Sequence, residues 1–358
     1  MQICCSRLGG QSALAGVAMV LTSLALWMPS VLAQSGAQSE VTAAIRQGAA
    51  ALDAGNFPQA VASFERARSL APENLEVNRG LLLSYLQAGA LAQAEQLGQE
   101  AIARWPRDAE LQHWLGLTYF KQGQNSEAVS ALRHSEQLNS APFDIHFDLA
   151  LVLLSQDNYP QAADELEKAI RINPSEAMPH VLLGRAYQNT NRTVQAIEQF
   201  QTALRLDPNI PLGHYHLGFA YASVGRNQDA IAEYEKEAAR SPDHPQVLYH
   251  LGHTLLESGD LKSAIGQLLR AEQVDAGNAD IAYDLGKALL LEGKTDAAIL
   301  SLRKAIDLKP GDPSPHYQMA RALEKNGKAE EARAEWQRFA ELKKNQAQTG
   351  GMASGRIQ

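Results

Sequence analysis

A period of 34 residues constrains this chain more than any other feature. From Val41 to Gln346 the sequence runs for 306 residues, nine stretches of 34 without an insertion or deletion. One column of that register reads Ala60, Ala94, Ala128, Ala162, Ala196, Ala230, Ala264, Ala298 and Ala332. Twelve residues upstream stand Gly48, Leu82, Gly116, Ala150, Gly184, Gly218, Gly252, Gly286 and Ala320, small in all but one case. Between them lies a column of Gly55, Gly89, Gly123, Asp157, Asn191, Gly225, Gly259, Gly293 and Gly327, residue types that accept a positive φ. Pro72, Pro106, Pro174, Pro208, Pro242 and Pro310 mark the end of the period. Repetition of this kind means one supersecondary unit used again and again, with each copy covering its neighbour's apolar face.

The stretch from 177 to 210 shows what the unit is. His180, Leu183, Gly184 and Tyr187 fall at i, i+3, i+4 and i+7, one face of a helix, and Ala196, Phe200 and Ala203 repeat the pattern. Asn189-Thr190-Asn191 between them reads as a turn. The expected fold is therefore all-α, a solenoid of nine helix-turn-helix units at 41–74, 75–108, 109–142, 143–176, 177–210, 211–244, 245–278, 279–312 and 313–346. Small residues let the paired helices approach closely. Phe64, Leu132, Leu166, Phe200, Tyr234, Leu268, Leu302 and Trp336, four residues after the alanine, fill the space beside that contact. Asn74, Asp108, Asn278 and Asp312 stand where N-caps belong, and Pro211, Pro245 and Pro313 are expected at the first helical position. Two places break the columns. Leu82 and Gly98 exchange large and small. Glu237 replaces an alanine, which predicts a slightly rotated second helix that takes the carboxylate to solvent or a partner.

Composition bears mainly on where the chain goes. Arg7 precedes a mostly apolar run from Ala13 to Trp27, too short to span a bilayer unaided, which takes about 20 residues. Pro29-Ser30-Val31-Leu32-Ala33 offers small residues for cleavage before Gln34, so residues 1–33 read as an export signal, with an uncleaved anchor as the alternative. Cleavage would remove both cysteines, Cys4 and Cys5. Residues 34–40 read as a linker and 347–358 as a flexible tail. The formal charge of −8 and the lack of a dense Lys/Arg cluster argue against nucleic acid.

The set of small residue, turn glycine, alanine, aromatic or Leu, alanine and proline at this period resembles the tetratricopeptide repeat family, over 306 of 358 residues. The resemblance implies a right-handed superhelix whose first helices line a concave groove, and a non-catalytic adaptor that holds peptides or partner proteins there. A carboxylate clamp of the kind some family members carry is not expected. Its columns here give Arg79, Trp114, Asp148, Leu182, His216, His250 and Asp284 instead of the Lys/Asn/Asn/Lys/Arg set.

No pairing of nucleophile and base repeats or clusters, so no enzyme and no cofactor is expected. His146, His180, His214 and His316 share a column, but copies one packed helix apart, roughly 8–10 Å, are too distant to share a metal. They read as packing. The candidate site is instead a face of the first helices. One column gives Phe147, Tyr215, Tyr249, Tyr283 and Tyr317, and four residues further on come Arg185, Phe219, His253, Lys287 and Arg321. Rings supply contact area and cations can fix carboxylates, which suits an extended protein or peptide segment. Tyrosine there can equally be partly buried packing. A different reading makes the chain an assembly subunit of a cell-envelope, secretion or polysaccharide-export apparatus that uses its convex face or its ends.

Overall fold

The computed structural model describes residues 38–139 and 143–354, the last seven of these as backbone alone. The expected signal at 1–33 and the last four residues of the expected tail lie outside the described residues. Among the described residues every element is a helix. The chain divides into two compact bodies at the turn between Asp157 and Asn158. The N-terminal body holds α1 (38–53), α2 (Phe57–Leu70), α3 (Leu75–Ala88), α4 (Leu91–Arg104), α5 (Ala109–Lys121), α6 (Asn125–Leu138) and α7 (Phe143–Ser155). The C-terminal body begins with α8 (Tyr159–Ile172), α9 (Ala177–Asn189), α10 (Thr193–Leu206), α11 (Gly213–Ser223) and α12 (Asn227–Arg240). It continues with α13 (Pro245–Ser258), α14 (Leu261–Val274), α15 (Ala279–Glu292), α16 (Thr295–Leu308), α17 (Pro313–Lys325) and α18 (Ala329–Ser354). These eighteen helices make about nine helix-turn-helix repeats. Within each body every helix packs on its sequence neighbours, and first helices also meet first helices, as α9 meets α11 and α11 meets α13.

The columns explain the pairing. All nine alanines of the invariant column are buried, at 0% or 1% exposure. A Cβ added to Gly184 would come within 2.6 Å of the Phe200 ring, and one on Gly252 within 2.7 Å of Leu268. The large residue of each second helix thus sits directly on the glycine of its own first helix, where any side chain would push it out. Gly48, Gly116, Gly218 and Gly286 hold Phe64, Leu132, Tyr234 and Leu302 in the same manner. In the second repeat Leu82 is fully buried, and the room at Gly98 is filled from the next repeat by Leu115, 2.8 Å from where a Cβ would stand.

The turn column behaves as its residue types require: all nine members have positive φ, including Asp157 at 56° and Asn191 at 59°. Asn74, Asp108, Asn278 and Asp312 each accept a hydrogen bond from a backbone N–H in the first turn of the following helix, so all four are N-caps. Two recurring side-chain bonds then set the register. Inside a repeat, His180 Nδ1 lies 2.7 Å from Gln199 Oε1, His214 Nδ1 2.6 Å from Glu233 Oε2 and His316 Nδ1 2.5 Å from Glu335 Oε2, each partner 19 residues away. Between neighbouring repeats, the Tyr85 and Tyr187 hydroxyls donate to Glu65 and Glu167 at 2.7 Å, and Gln201 donates to the Tyr221 hydroxyl at 2.9 Å, each 20 residues apart.

Four expectations need correction. Pro245 and Pro313 open their helices, but Pro211 does not: α11 starts at Gly213, behind Leu212 with φ at 58°. Ile210 stands in the cap column, cannot cap, and is buried instead at 3% exposure, so the helix begins two residues late. The stretch read as a linker is helical from residue 38, because nothing in Gln38-Ser39-Glu40 stops α1. The expected tail is helical through Ser354, since no proline ends α18 and Ala, Glu, Lys and Gln around 340–347 favour helix. Finally, α12 is not rotated. Ala230, Ile231, Tyr234 and Glu237 all face inward, and Glu237 is 3% exposed with its Oε2 unpaired. The fully buried Ala230 and Tyr234 hold the helix in frame. In the third repeat the same column's Ser135 Oγ donates to the carbonyl of Ala109, the first residue of α5. That register directs Glu237 toward the displaced start of α11.

An unpaired buried carboxylate oxygen costs about 1–3 kcal/mol. Glu237→Ala, which restores the residue of the column, is therefore expected to add about 1–3 kcal/mol of stability and so to raise the melting midpoint. A lowered midpoint would show that Glu237 makes a stabilising contact.

Candidate functional site

The face in question belongs to the first helices, because their other faces are taken by the glycine contacts and by the next repeat. Of the expected site residues, Phe147 lies on α7 in the N-terminal body, half-buried and stacked on Phe143 with ring centroids 5.6 Å apart. The others lie in the C-terminal body. Arg185 is exposed on α9. On α11 Tyr215 is half-buried, its ring 6.0 Å from Tyr234 and 5.6 Å from His250, and Phe219 stands 39% exposed with its ring edge-on to His250 at 5.3 Å. On α13 Tyr249 lies 5.9 Å from His253.

The imidazole N–H of His253 donates to Asp284 on α15 at 2.7 Å, and Lys287 donates to Glu257 at 2.9 Å. Tyr283 is half-buried on α15. Tyr317 on α17 is 37% exposed and meets Trp336 edge-on at 5.2 Å, with the Arg321 guanidinium 5.8 Å from its ring centre. The structure thus gathers Tyr215, Phe219, Tyr249 and His253 into one cluster, and Tyr317 with Arg321 into another against α18. The tyrosines and their neighbours differ in burial. Tyr215 and Tyr249 have raised pKa values because burial disfavours the phenolate, while Phe219 and Tyr317 keep open ring surface.

Four residues of the cluster were not among the expected site residues: Tyr234 was read as packing, and His216, His250 and Asp284 only as columns that lack a carboxylate clamp. His216 stacks on Phe200 at 5.5 Å, and His250 on Tyr234 at 6.2 Å. Burial, with the charge of Arg185 nearby, pushes His216 down to about 4. Burial, with the charge of His253 and against that of Asp284, does the same to His250. His253 goes the other way, raised chiefly by its hydrogen bond to Asp284. Asp284 is 3% exposed; its column-mate Asp148 also meets an imidazole, that of His113 at 2.7 Å, but from a different column and 35 residues away where His253 is 31 away, so spacing gave no signal for the pair. In the His253–Asp284, His113–Asp148, His214–Glu233 and His316–Glu335 pairs the imidazole engages a carboxylate, and among the described residues no Ser or Thr side chain is bonded to it. The arrangement offers rings, neutral imidazoles and a few cations to a ligand.

Models of known families match much of the chain. One described as a tetratricopeptide repeat matches residues 45–109 and 249–313, a second of that description matches 289–348, and one described as a TPR repeat matches 189–225. A model of anaphase-promoting complex, cyclosome, subunit 3 matches 87–169. No curated protein matches the sequence. Among solved structures, the APC/C hetero-tetramer Cut9–Hcn1 is 19% identical at a TM-score of 0.52, over 75% of this chain and 52% of that one. This chain therefore spans about half the length of that relative. The pilF protein of Pseudomonas aeruginosa is 20% identical at a TM-score of 0.52, over 60% of this chain and 97% of that one. At such identities the likeness is one of fold.

The histidines give a signed pH dependence. Between pH 6.5 and about 4 the unfolded chain takes up protons at positions 216 and 250 that the folded chain refuses. Stability from these groups is complete above about 6.5 and falls with pH below it, by up to about 1.4 kcal/mol per pH unit for each. His253 contributes with the opposite sign: its share is complete below about 6.5 and is lost as pH rises through its raised value. The urea midpoint is expected to peak near pH 6.5, and the decline from there to about 5 should flatten in His216→Phe/His250→Phe. An equal decline in that variant would place these histidines outside the buried cluster.

Proposed function

The chain belongs to the tetratricopeptide repeat family, and from that premise we propose that it is an exported, non-catalytic scaffold that holds an extended segment of a partner protein along its first helices. Proteins of this family bind other proteins, and the fold is one that typically carries no catalysis. The observation that carries the reading is the run of rings on successive first helices, with Phe219 and Tyr317 left 39% and 37% exposed. An aromatic residue held rigid by its neighbours and open on one side supplies contact area at little entropic cost. In the groove that the family fold implies, that area would face the ligand.

Export rests on the apolar run from Ala13 to Trp27 and the small residues before Gln34. Among the described residues no helix is long and apolar enough to cross a membrane. The second reading, contact through the outer helices of an assembly subunit in an envelope, secretion or polysaccharide-export apparatus, has its own support. Val194 on α10 and Leu300 on α16 are each 67% exposed.

One experiment separates the two. A photo-crosslinking amino acid placed at Phe219 or Tyr317, and in parallel at Val194 or Leu300, should trap the same partner from the first pair and not from the second. Adducts from positions 194 and 300 alone would transfer the function to the outer helices. N-terminal sequencing of the same purified chain should begin at Gln34, and a retained Met1 in the cytoplasmic fraction would end the export reading.

A further inference from the structure

We propose that the segment held by the first helices of the C-terminal body carries carboxylates at both ends and apolar side chains between them. This rests on the partner-segment reading above and adds the chemistry of the occupant. Its basis is an asymmetry of charge. The chain as a whole carries −8, yet α9 and α11 contain no acidic residue at all. The carboxylates on α13, α15 and α17 are all engaged. Glu257 accepts from Lys287 at 2.9 Å, Asp284 from His253 at 2.7 Å and Glu324 from the Trp336 indole at 2.9 Å. Glu292 pairs with Lys294 at 2.9 Å, and Asp280 lies 4.0 Å from Lys309.

The cations are not so matched. Among the described residues neither Arg185 nor Arg321 has a carboxylate within ion-pair distance, and the Arg321 guanidinium reaches only Gln318 Oε1 at 3.3 Å. Both belong to one column of the repeat, four repeats apart. Between them that column holds Phe219, open on one side, then His253 and Lys287, each already neutralised by a carboxylate. A face with a free guanidinium at each end and rings between complements a segment with the reverse arrangement. Guanidinium binds carboxylate through two parallel N–H donors, which fixes the register of the segment. At roughly 8–10 Å per packed helix, four repeats correspond to about a dozen residues of extended chain at roughly 3.3 Å each. Nucleic acid fits less well, because its phosphates recur every few ångströms and call for cations along the whole track.

The test uses the full chain and fluorescein-labelled peptides of about a dozen residues. Each has Glu-Glu, Gln-Gln or Lys-Lys at both termini around the same Leu-, Ser- and Ala-containing middle, and binding is read by anisotropy. The Glu-ended peptide should bind about tenfold or more tightly than the Gln-ended one, and the Lys-ended one least. Arg185→Gln/Arg321→Gln should bring the Glu-ended peptide to the level of the Gln-ended one, while Phe219→Ala should weaken every peptide. Raised salt should weaken the Glu-ended peptide on the unaltered protein, a reading that does not depend on the double variant folding. Equal binding of Glu- and Gln-ended peptides, still weakened by Phe219→Ala, would overturn the acidic assignment and leave the first-helix face standing. Binding indifferent to all three substitutions would overturn both. A dissociation constant weaker than millimolar for every peptide, or preference of the same arginines for single-stranded oligothymidylate, would overturn the proposal.

Discussion

The structure depends on a side chain seated on a bare backbone. In six repeats a glycine of the first helix lies under the large residue sixteen positions later in the second, Phe200 over Gly184 and Tyr234 over Gly218 among them. Packing at interior density leaves no slack at such a contact. The alanine column beside it is buried in all nine repeats, so nothing larger than a methyl group holds the paired helices apart there. Because the same columns recur, successive repeats within each body present the same residue types to each other, and a simple local rule extends along it. No contact of the pair needs a residue far away in sequence, as expected for an array held together by nearest neighbours.

Polar bonds then select one register out of the several that apolar packing would tolerate. The His–Glu and His–Gln bonds 19 residues apart tie a second helix to its own first helix, and the tyrosine bonds 20 residues apart tie it to the next. With both sides of each first helix committed, one strip is left over. In the C-terminal body that strip carries Tyr215, Phe219, Tyr249 and His253 and ends in Arg185 and Arg321, which among the described residues have no carboxylate within ion-pair distance. Open ring surface, that of Phe219 and Tyr317, therefore stands where these bonds leave the first helices uncovered.

Much of this was legible in the sequence, for a physical reason. A positive φ and a close helix crossing each restrict the residue type so strongly that the column betrays them, and both the turns and the alanines fall where the period places them. The four N-caps were legible for the same reason, since few side chains can take a helix's first N–H groups. What escaped was whatever did not repeat. Ile210 occupies a cap position only once, and its burial, which delays α11, follows from its surroundings. Asp284 sits in a column that also holds Trp114, Leu182 and His250, so its bond to His253 has no columnar signature. Glu237 was visible as a misfit, but whether the helix or the carboxylate would yield depended on how firmly Tyr234 was seated. The two ring-bearing columns were legible, whereas their division into buried and open rings was not. Exposure of Phe219 beside the half-buried Tyr215 depends on how neighbouring helices cross.

The seating of large residues on glycine can be tested through Gly184→Val, read by native-state hydrogen exchange along the C-terminal body. An added Cβ would stand 2.6 Å from the Phe200 ring, so the ring must leave its place. The expected result is loss of protection in α9 and α10, fading through α8 and α11, with α15 to α17 unchanged. Protection retained in α9 and α10, or lost equally in every helix of the body, would contradict it.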